Sequence, residues 1–272
     1  MSGAARELDG KVCVVTGGSR GIGFAICELF AEHGGRIAIL DREAGPGEEV
    51  VARLSGQGAD ARFYDVDVSD EERVTAAARD VTSDFGRVDV LVNNAGISRL
   101  GPSMSFPLKD WHDSFEVLTT GVFLCSREFG RRMREGGGGA IVNISSINGL
   151  VAFPMRLAYS AAKAAVISMT KVLAVEWSAY GIRVNAVAPG MTETEMLREA
   201  IDQGLIDIDV YLDHTPLRRL GRPRDIAEAV LYLAGGRSSF VTGQVIVPDG
   251  GWTAFNWIPW SGDPDAPDIS RK

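Results

Sequence analysis

The chain has 272 residues, 45% of them hydrophobic and 24% charged, with a formal net charge of −8. That length suits one large domain with a sizeable core, and the acidic balance excludes a nucleic-acid or anionic-membrane surface. No uninterrupted apolar run reaches the roughly 18 residues of a membrane span, and Met1 to Glu7 lack the apolar core of a secretory leader.

Val12-Cys13-Val14-Val15 is a short apolar run and reads as a buried strand. Thr16-Gly17-Gly18-Ser19-Arg20-Gly21-Ile22-Gly23 follows at once, and residues 24–33 then have helical periodicity, with Ile22, Ala25, Ile26, Leu29 and Phe30 on one stripe. In a strand–loop–helix context these glycines allow a tight turn and a close backbone approach to a pyrophosphate at the positive helix N-terminus. A second strand over residues 36–40 ends in Asp41, whose carboxylate can accept from ribose hydroxyls and would repel a 2′-phosphate. Helices are predicted over about residues 70–85, 108–134, 156–180 and 223–234, and strands over 88–92, 140–144, 182–187 and 244–247. The alternation predicts an α/β fold, a doubly wound parallel sheet flanked by helices on both faces, in one domain spanning 1–272.

The chemistry is concentrated in Ser146, Tyr159 and Lys163. Tyr159 and Lys163 are spaced i, i+4 on a predicted helix, so they share a face, about 6 Å apart along the axis. The ammonium is expected to favour the phenolate and lower a phenol pKa that starts near ~10. A tyrosine tuned in this way exchanges a proton with an alcohol or ketone. Ser146, at a neighbouring strand end, is placed to hydrogen-bond the same oxygen.

These motifs resemble the short-chain dehydrogenase/reductase family of classical type, and the resemblance covers nearly the whole chain. Residues 16–23 resemble its cofactor loop; Asp67-Val68 the pair that contacts adenine; Asn93-Asn94-Ala95-Gly96 the turn that lines the cofactor; Pro189-Gly190 with Thr192 and Thr194 the nicotinamide cradle; Asp249-Gly250-Gly251 the closing motif. The resemblance implies a Rossmann-type domain and a catalytic trio of Ser146, Tyr159 and Lys163. It implies cofactor contacts from Gly17, Ser19, Arg20, Gly21, Ile22, Gly23, Asp41, Asp67, Val68, Asn94, Ala95, Gly96, Tyr159, Lys163, Pro189, Gly190, Thr192 and Thr194. One position departs from the pattern. Many members carry an asparagine three residues before the glycine matched by Gly121, where it holds a water that relays protons to the lysine; here that place is Leu118, which offers no polar atom. Thr119 is an alternative relay group.

The cofactor reads as NAD rather than NADP, although Arg20 and Arg42 could both reach a 2′-phosphate. By the resemblance, the substrate is bounded by residues after Gly96, by residues between Ser146 and Tyr159, and by an insertion at about 191–221. Ser98, Asn148, Arg156 and His214 are the candidate contacts, with Arg99, Phe153 and Met155 nearby. This mixture suits a polyol or sugar. The reading is thus an NAD-dependent oxidoreductase interconverting a secondary alcohol and a ketone. An NADPH-dependent 3-oxoacyl thioester reductase and a non-catalytic NAD-sensing protein remain open. The three cysteines suggest a reducing, cytoplasmic compartment, and His33, His112 and His214 are too dispersed for a metal site. The resemblance implies a homotetramer built on helices 108–134 and 156–180. A tail at 252–272 holds Trp252, Trp257 and Trp260 and is expected to cross to another subunit and help close its pocket.

Overall fold

The computed structural model describes residues 6–202, 204 and 206–255. Seven parallel strands form one sheet: β1 (Val12–Thr16), β2 (Arg36–Asp41), β3 (Ala61–Asp65), β4 (Val90–Asn93), β5 (Gly139–Ile144), β6 (Ile182–Val187) and β7 (Val245–Ile246), in the order β3-β2-β1-β4-β5-β6-β7. Side chains alternate across a strand, so β1 feeds both cores. Cys13 and Val15 face one cluster, Val12 and Val14 the other, and all are fully buried.

On the first face lie α1 (Gly21–Glu32), α2 (Ala44–Gly56) and a late helix, Pro223–Ala234. Phe30 and Leu29 of α1 pack there with Ile226, Val230 and Leu231 of the late helix. Truncating a side chain such as Phe30 to alanine would cost about 3–5 kcal/mol. On the second face lie α3 (Glu71–Phe85), α5 (Gly121–Glu135) and α6 (Leu157–Trp177), with α4 (Leu108–Phe115) packed against α6. Asp70 caps α3, accepting from the backbone N–H of Glu72 at 3.0 Å and of Arg73 at 3.1 Å. Gly86 ends that helix at φ 85°, a left-handed conformation that glycine adopts without strain.

The insertion contributes α7 (Glu195–Asp202) and α8 (Ile208–His214), and the late helix is α9. Neither short helix had been anticipated. Nor had α2, whose first turn holds Gly45, Pro46 and Gly47, or β3, an edge strand without an apolar run. The helix expected over 108–134 is broken. A wide π-helical turn at Glu116–Thr120 separates α4 from α5 and carries Leu118.

Order reverses between β1 and β4, the switch point at which open α/β sheets bind ligands beyond their strand ends. Here the two neighbouring loops are bonded together. Asn94 Nδ2 donates to the carbonyls of Thr16 at 3.1 Å and Gly17 at 2.9 Å, while Thr16 Oγ1 accepts from the N–H of Asn94 and of Ala95, each at 3.0 Å. A buried amide chain ties the sheet to its helices. Asn93 Nδ2 donates to Ser126 Oγ at 2.9 Å and Asn143 Oδ1 at 2.8 Å, and Asn143 Nδ2 donates to Thr170 Oγ1 at 2.9 Å. The stretch Leu157–Tyr180 is long and apolar enough to cross a membrane by composition alone. It packs on β6, however, and carries the buried polar groups Lys163 and Thr170, the pattern of a core helix.

Candidate active site

A cleft of about 810 Å³ opens beyond the carboxyl ends of β1, β4 and β5. Ser146 stands just past β5 in extended backbone, and its Oγ accepts from the Asn148 backbone N–H at 3.1 Å. Tyr159 and Lys163 lie one turn apart on α6 and face the same cleft. Ser145 Oγ donates to the Lys163 carbonyl at 2.9 Å, and a Cβ on Gly149 would stand 2.8 Å from the Lys163 carbonyl carbon. Only glycine lets the strand-end segment lie this close to α6, and this closeness brings Ser146 to Tyr159.

Lys163 is 4% exposed; its Nζ donates to the Ile144 carbonyl at 2.7 Å and lies 5.7 Å from the centre of the Tyr159 ring. Burial draws its pKa down to about 8. The expected low phenol pKa is corrected. Burial holds Tyr159 above its ordinary value, and a hydrogen bond with Ser146, then the charge of Arg156, pull it back. The spacing argument assumed a solvated pair and left out the cost of burying a phenolate.

The glycine loop forms a cradle. Gly17 sits at φ 63°, and a Cβ there would stand 2.8 Å from Ala95 Cα. A Cβ on Gly23 would stand 2.0 Å from the Gly17 carbonyl oxygen. Gly23 thus belongs to the packing of α1 against its loop and does not line the cleft. Gly17, Ser19, Arg20, Gly21, Ile22, Asp41, Asp67, Val68, Asn94, Ala95, Gly96, Pro189, Gly190, Thr192 and Thr194 do line it. Ser19 Oγ is buried without a hydrogen-bond partner among the described residues, as a group that takes a bound ligand oxygen would be. Asp41 accepts from the backbone N–H of Ser19 at 3.2 Å and of Glu43 at 3.3 Å.

Arg20 reaches Glu43 at 2.7 Å and Glu195 of α7 at 3.7 Å. Glu43 and Glu195 were not singled out in the sequence. Glu43 is two residues beyond the strand-end aspartate, a signal that could have found it; Glu195 arrives only through the folding of the insertion.

On the substrate side, Ser98, Arg99 and Arg156 line the cleft, and Arg99 pairs with Asp110 at 3.8 Å. Asn148 and His214 are not part of the wall. Asn148 lies beneath Ser146 and is buried. His214 stands edge-on to Trp252 at 4.3 Å and tilted to Phe255 at 5.4 Å, and partial burial lowers its pKa. Phe153 stacks on the other partners of this cluster, at 4.8 Å from Trp252 and 6.2 Å from Tyr211. The cluster therefore fastens α8 to the segment after Ser146 and to the closing motif. Trp257 and Trp260 lie outside the described residues.

Leu118 lines the cleft, with Cδ2 placed 3.1 Å from where a Cβ on Gly96 would stand. Thr119 Oγ1 is buried without a partner among the described residues and is not part of the wall. Among the described residues, no three His, Cys, Asp or Glu side chains are grouped to hold a metal ion.

Comparison with known proteins settles the family. A family model described as Enoyl-(Acyl carrier protein) reductase matches residues 17–253. D-threitol dehydrogenase of Mycolicibacterium smegmatis is 41% identical over 247 residues, covering 91% of this chain and 94% of that protein. The chain is a short-chain dehydrogenase/reductase. It is accordingly an oxidoreductase acting on CH–OH groups. Another member, the 3-oxoacyl-(acyl-carrier-protein) reductase of Chlamydia muridarum, is also 41% identical, over 90% of this chain and 98% of its own length. Among solved short-chain dehydrogenase structures, a gluconate 5-dehydrogenase from Burkholderia cenocepacia in complex with NADP and tartrate superposes with a TM-score of 0.88. It is 36% identical and covers 92% of this chain and 98% of its own.

Proposed function

We propose that this protein is an NAD-dependent dehydrogenase of a small polyol or sugar, interconverting a secondary alcohol and a ketone. The observation that carries the reading is the convergence of Ser146, Tyr159 and Lys163 on one face of a cleft whose other end is the glycine cradle. The cradle, the unpartnered Ser19 hydroxyl and the Asp41 carboxylate fit a dinucleotide. When bound, the nicotinamide accepts or returns the hydride.

The chain's own groups do the rest. Ser146 and Tyr159 hold the reacting oxygen. In oxidation Tyr159 accepts the hydroxyl proton; in reduction it gives that proton back. Because burial holds the phenol above its ordinary value, oxidation gains from alkaline conditions. Lys163, anchored on the Ile144 carbonyl, supplies positive charge beside the phenol and donors for a ribose. Leu118 brings no polar atom to the wall near this group, so a water serving Lys163 is held by other atoms.

NAD is favoured because Glu43 already engages the Arg20 guanidinium and Asp41 stands beside it. A 2′-phosphate would meet two carboxylates and a neutralised arginine. The polar substrate end, with Ser98, Arg99 and Arg156, and the likeness to a threitol dehydrogenase support a hydroxylated substrate. Exposed Phe123 on α5 and Val172 and Val175 on α6 support assembly of identical subunits, for which a homotetramer is the proposed state. Three buried thiols without a disulfide fit a reducing cytoplasm. Initial rates with a panel of tetritols, hexitols and 3-oxoacyl thioesters, each with both cofactors, test the reading. NADPH-dependent thioester reduction alone would replace it with the acyl reductase, which the Chlamydia relative represents. Binding of NAD without turnover of any of them would replace it with a sensor.

A further inference from the structure

Ser146 has a single hydroxyl proton and several acceptors for it, and Asn148 decides among them. The backbone N–H of Asn148 donates to Ser146 Oγ at 3.1 Å, while Ser146 Oγ donates to Asn148 Oδ1 at 3.3 Å. In this arrangement Asn148 Oδ1 competes for the Ser146 proton with the Tyr159 oxygen, which is also hydrogen-bonded with Ser146. The same amide carries a nitrogen, Nδ2, that is buried without a hydrogen-bond partner among the described residues. A buried donor left unpaired is costly; a half-turn of the amide pairs Nδ2 and leaves Oδ1 unpartnered in its place, so neither orientation is held by a full set of hydrogen bonds. The turn brings Nδ2 to Ser146 and takes Oδ1 away. Ser146 Oγ then accepts from both Asn148 donors, and its own proton is directed to Tyr159 or to the substrate.

We propose that Asn148 is the positioning residue that controls where the Ser146 hydroxyl proton points, and that a half-turn of its side-chain amide releases this proton to the reacting oxygen. The surroundings permit a turn of the amide and little else. Asn148 is 8% exposed and Ile147 3%, and Gly149 is held against the Lys163 backbone. The Ile147 N–H donates to the Pro189 carbonyl at 3.1 Å, so the turn containing Asn148 is fixed at both ends. The role rests on the reading of Ser146 and Tyr159 as the proton-handling pair.

The consequence is read on Tyr159. Its charged neighbours are Lys163 and Arg156, on its own helix and at that helix's start. The Ser146 segment and the loop at residues 94–96 bring no ionisable side chain to it, nor does Leu118; Arg99, Glu195 and Glu199 stand elsewhere along the cleft. In Asn148→Ala the Ser146 proton has no competing side-chain acceptor and goes to the phenolate, so the midpoint of Tyr159 ionisation falls. In Asn148→Asp an acceptor-only group captures that proton and adds a negative charge, so the midpoint rises. Each shift should be about half a unit or more, with the two variants on opposite sides of wild type.

The test is a carbon-13 NMR titration of ring-labelled tyrosine in the full chain, with the Tyr159 signal among five tyrosines assigned by Tyr159→Phe. It needs no turnover, so it is decided independently of the substrate. Opposite shifts support the proposal when adding Ser146→Ala removes the Asn148→Ala shift and reduces the Asn148→Asp shift to the part due to its charge. Midpoints that stay at the wild-type value, move in the same direction, or shift equally without Ser146 overturn it. The kcat/KM profile for alcohol oxidation should move in the same sense. If the midpoints move as stated and Tyr159→Phe keeps its activity, the Asn148 role stands and the catalytic reading fails.

Discussion

The Arg20 guanidinium lies 2.7 Å from the Glu43 carboxylate at the end of the cleft lined by Asp41, and both side chains are about half exposed. This pairing occupies the cation that would otherwise be the first partner of a 2′-phosphate. A surface pair of this kind contributes about 0–1 kcal/mol, enough to bias cofactor choice several-fold. Glu43→Gln should therefore strengthen NADP binding up to about fivefold and leave NAD almost unchanged. Asp41→Ala should weaken NAD as well as relax discrimination. Dissociation constants from quenching of protein fluorescence check both. Equal effects of Glu43→Gln on the two cofactors would remove Glu43 from the selection.

Leu118→Asn places a polar side chain in the cleft wall beside Gly96. If proton release through Lys163 limits turnover, this variant should reduce the solvent isotope effect on kcat and flatten its pH dependence. An unchanged isotope effect, with kcat intact, means that proton release already runs by a sufficient route.

Lys163 is a charged group in a buried site, with a pKa drawn from 10.5 down to about 8 by burial. The unfolded chain binds this proton more tightly than the folded one does, so stability on its account rises as pH climbs from about 8 towards 10.5. Below that window the whole burial cost is present. Lys163→Met should abolish activity and raise the melting temperature at pH near 7, and its advantage over wild type should shrink towards pH near 10. A pH-independent difference between the two melting curves would contradict the assignment.

Trp252 joins Phe153 and His214 into one stack, and each such contact contributes about 0.5–1.5 kcal/mol beyond burial. Trp252→Ala should loosen α8 and raise the substrate KM several-fold while changing NAD affinity little. A rise in both would mean that the stack supports the whole cleft. Truncation after Gly251 removes Trp252 together with Trp257 and Trp260, and light scattering on that shorter chain reports whether the tail joins subunits.

The parts of this fold legible in the sequence are those whose local chemistry has one solution. Thr16 to Gly23 can only be a tight turn between strand and helix, and structure and sequence agree there. The alternation of apolar runs was enough for a parallel sheet, except at β3, where an edge position relieved the strand of a continuous apolar pattern. Leu108 to Glu135 has unbroken helical character, and nothing local announces the wide turn at Glu116–Thr120. The convergence of Ser146, Tyr159 and Lys163, the proposed catalytic trio, on one cleft was legible in the sequence, but their electrostatics were not. Burial of Tyr159 outweighs its neighbours, and burial is a property of the assembled fold. Asn148 and His214 were expected in the substrate wall because they fall in the right segments; their side chains turn instead to Ser146 and to Trp252.

The central claim is that Tyr159 moves the proton during NAD-linked alcohol oxidation. Its most direct test is single-turnover reduction of NAD by a polyol substrate in wild type and in Tyr159→Phe, with NAD affinity measured on both. The account predicts a loss of about 10²–10⁴-fold in the rate of hydride transfer, with NAD affinity little changed. A near-wild-type rate in the phenylalanine variant would show that another group carries the proton.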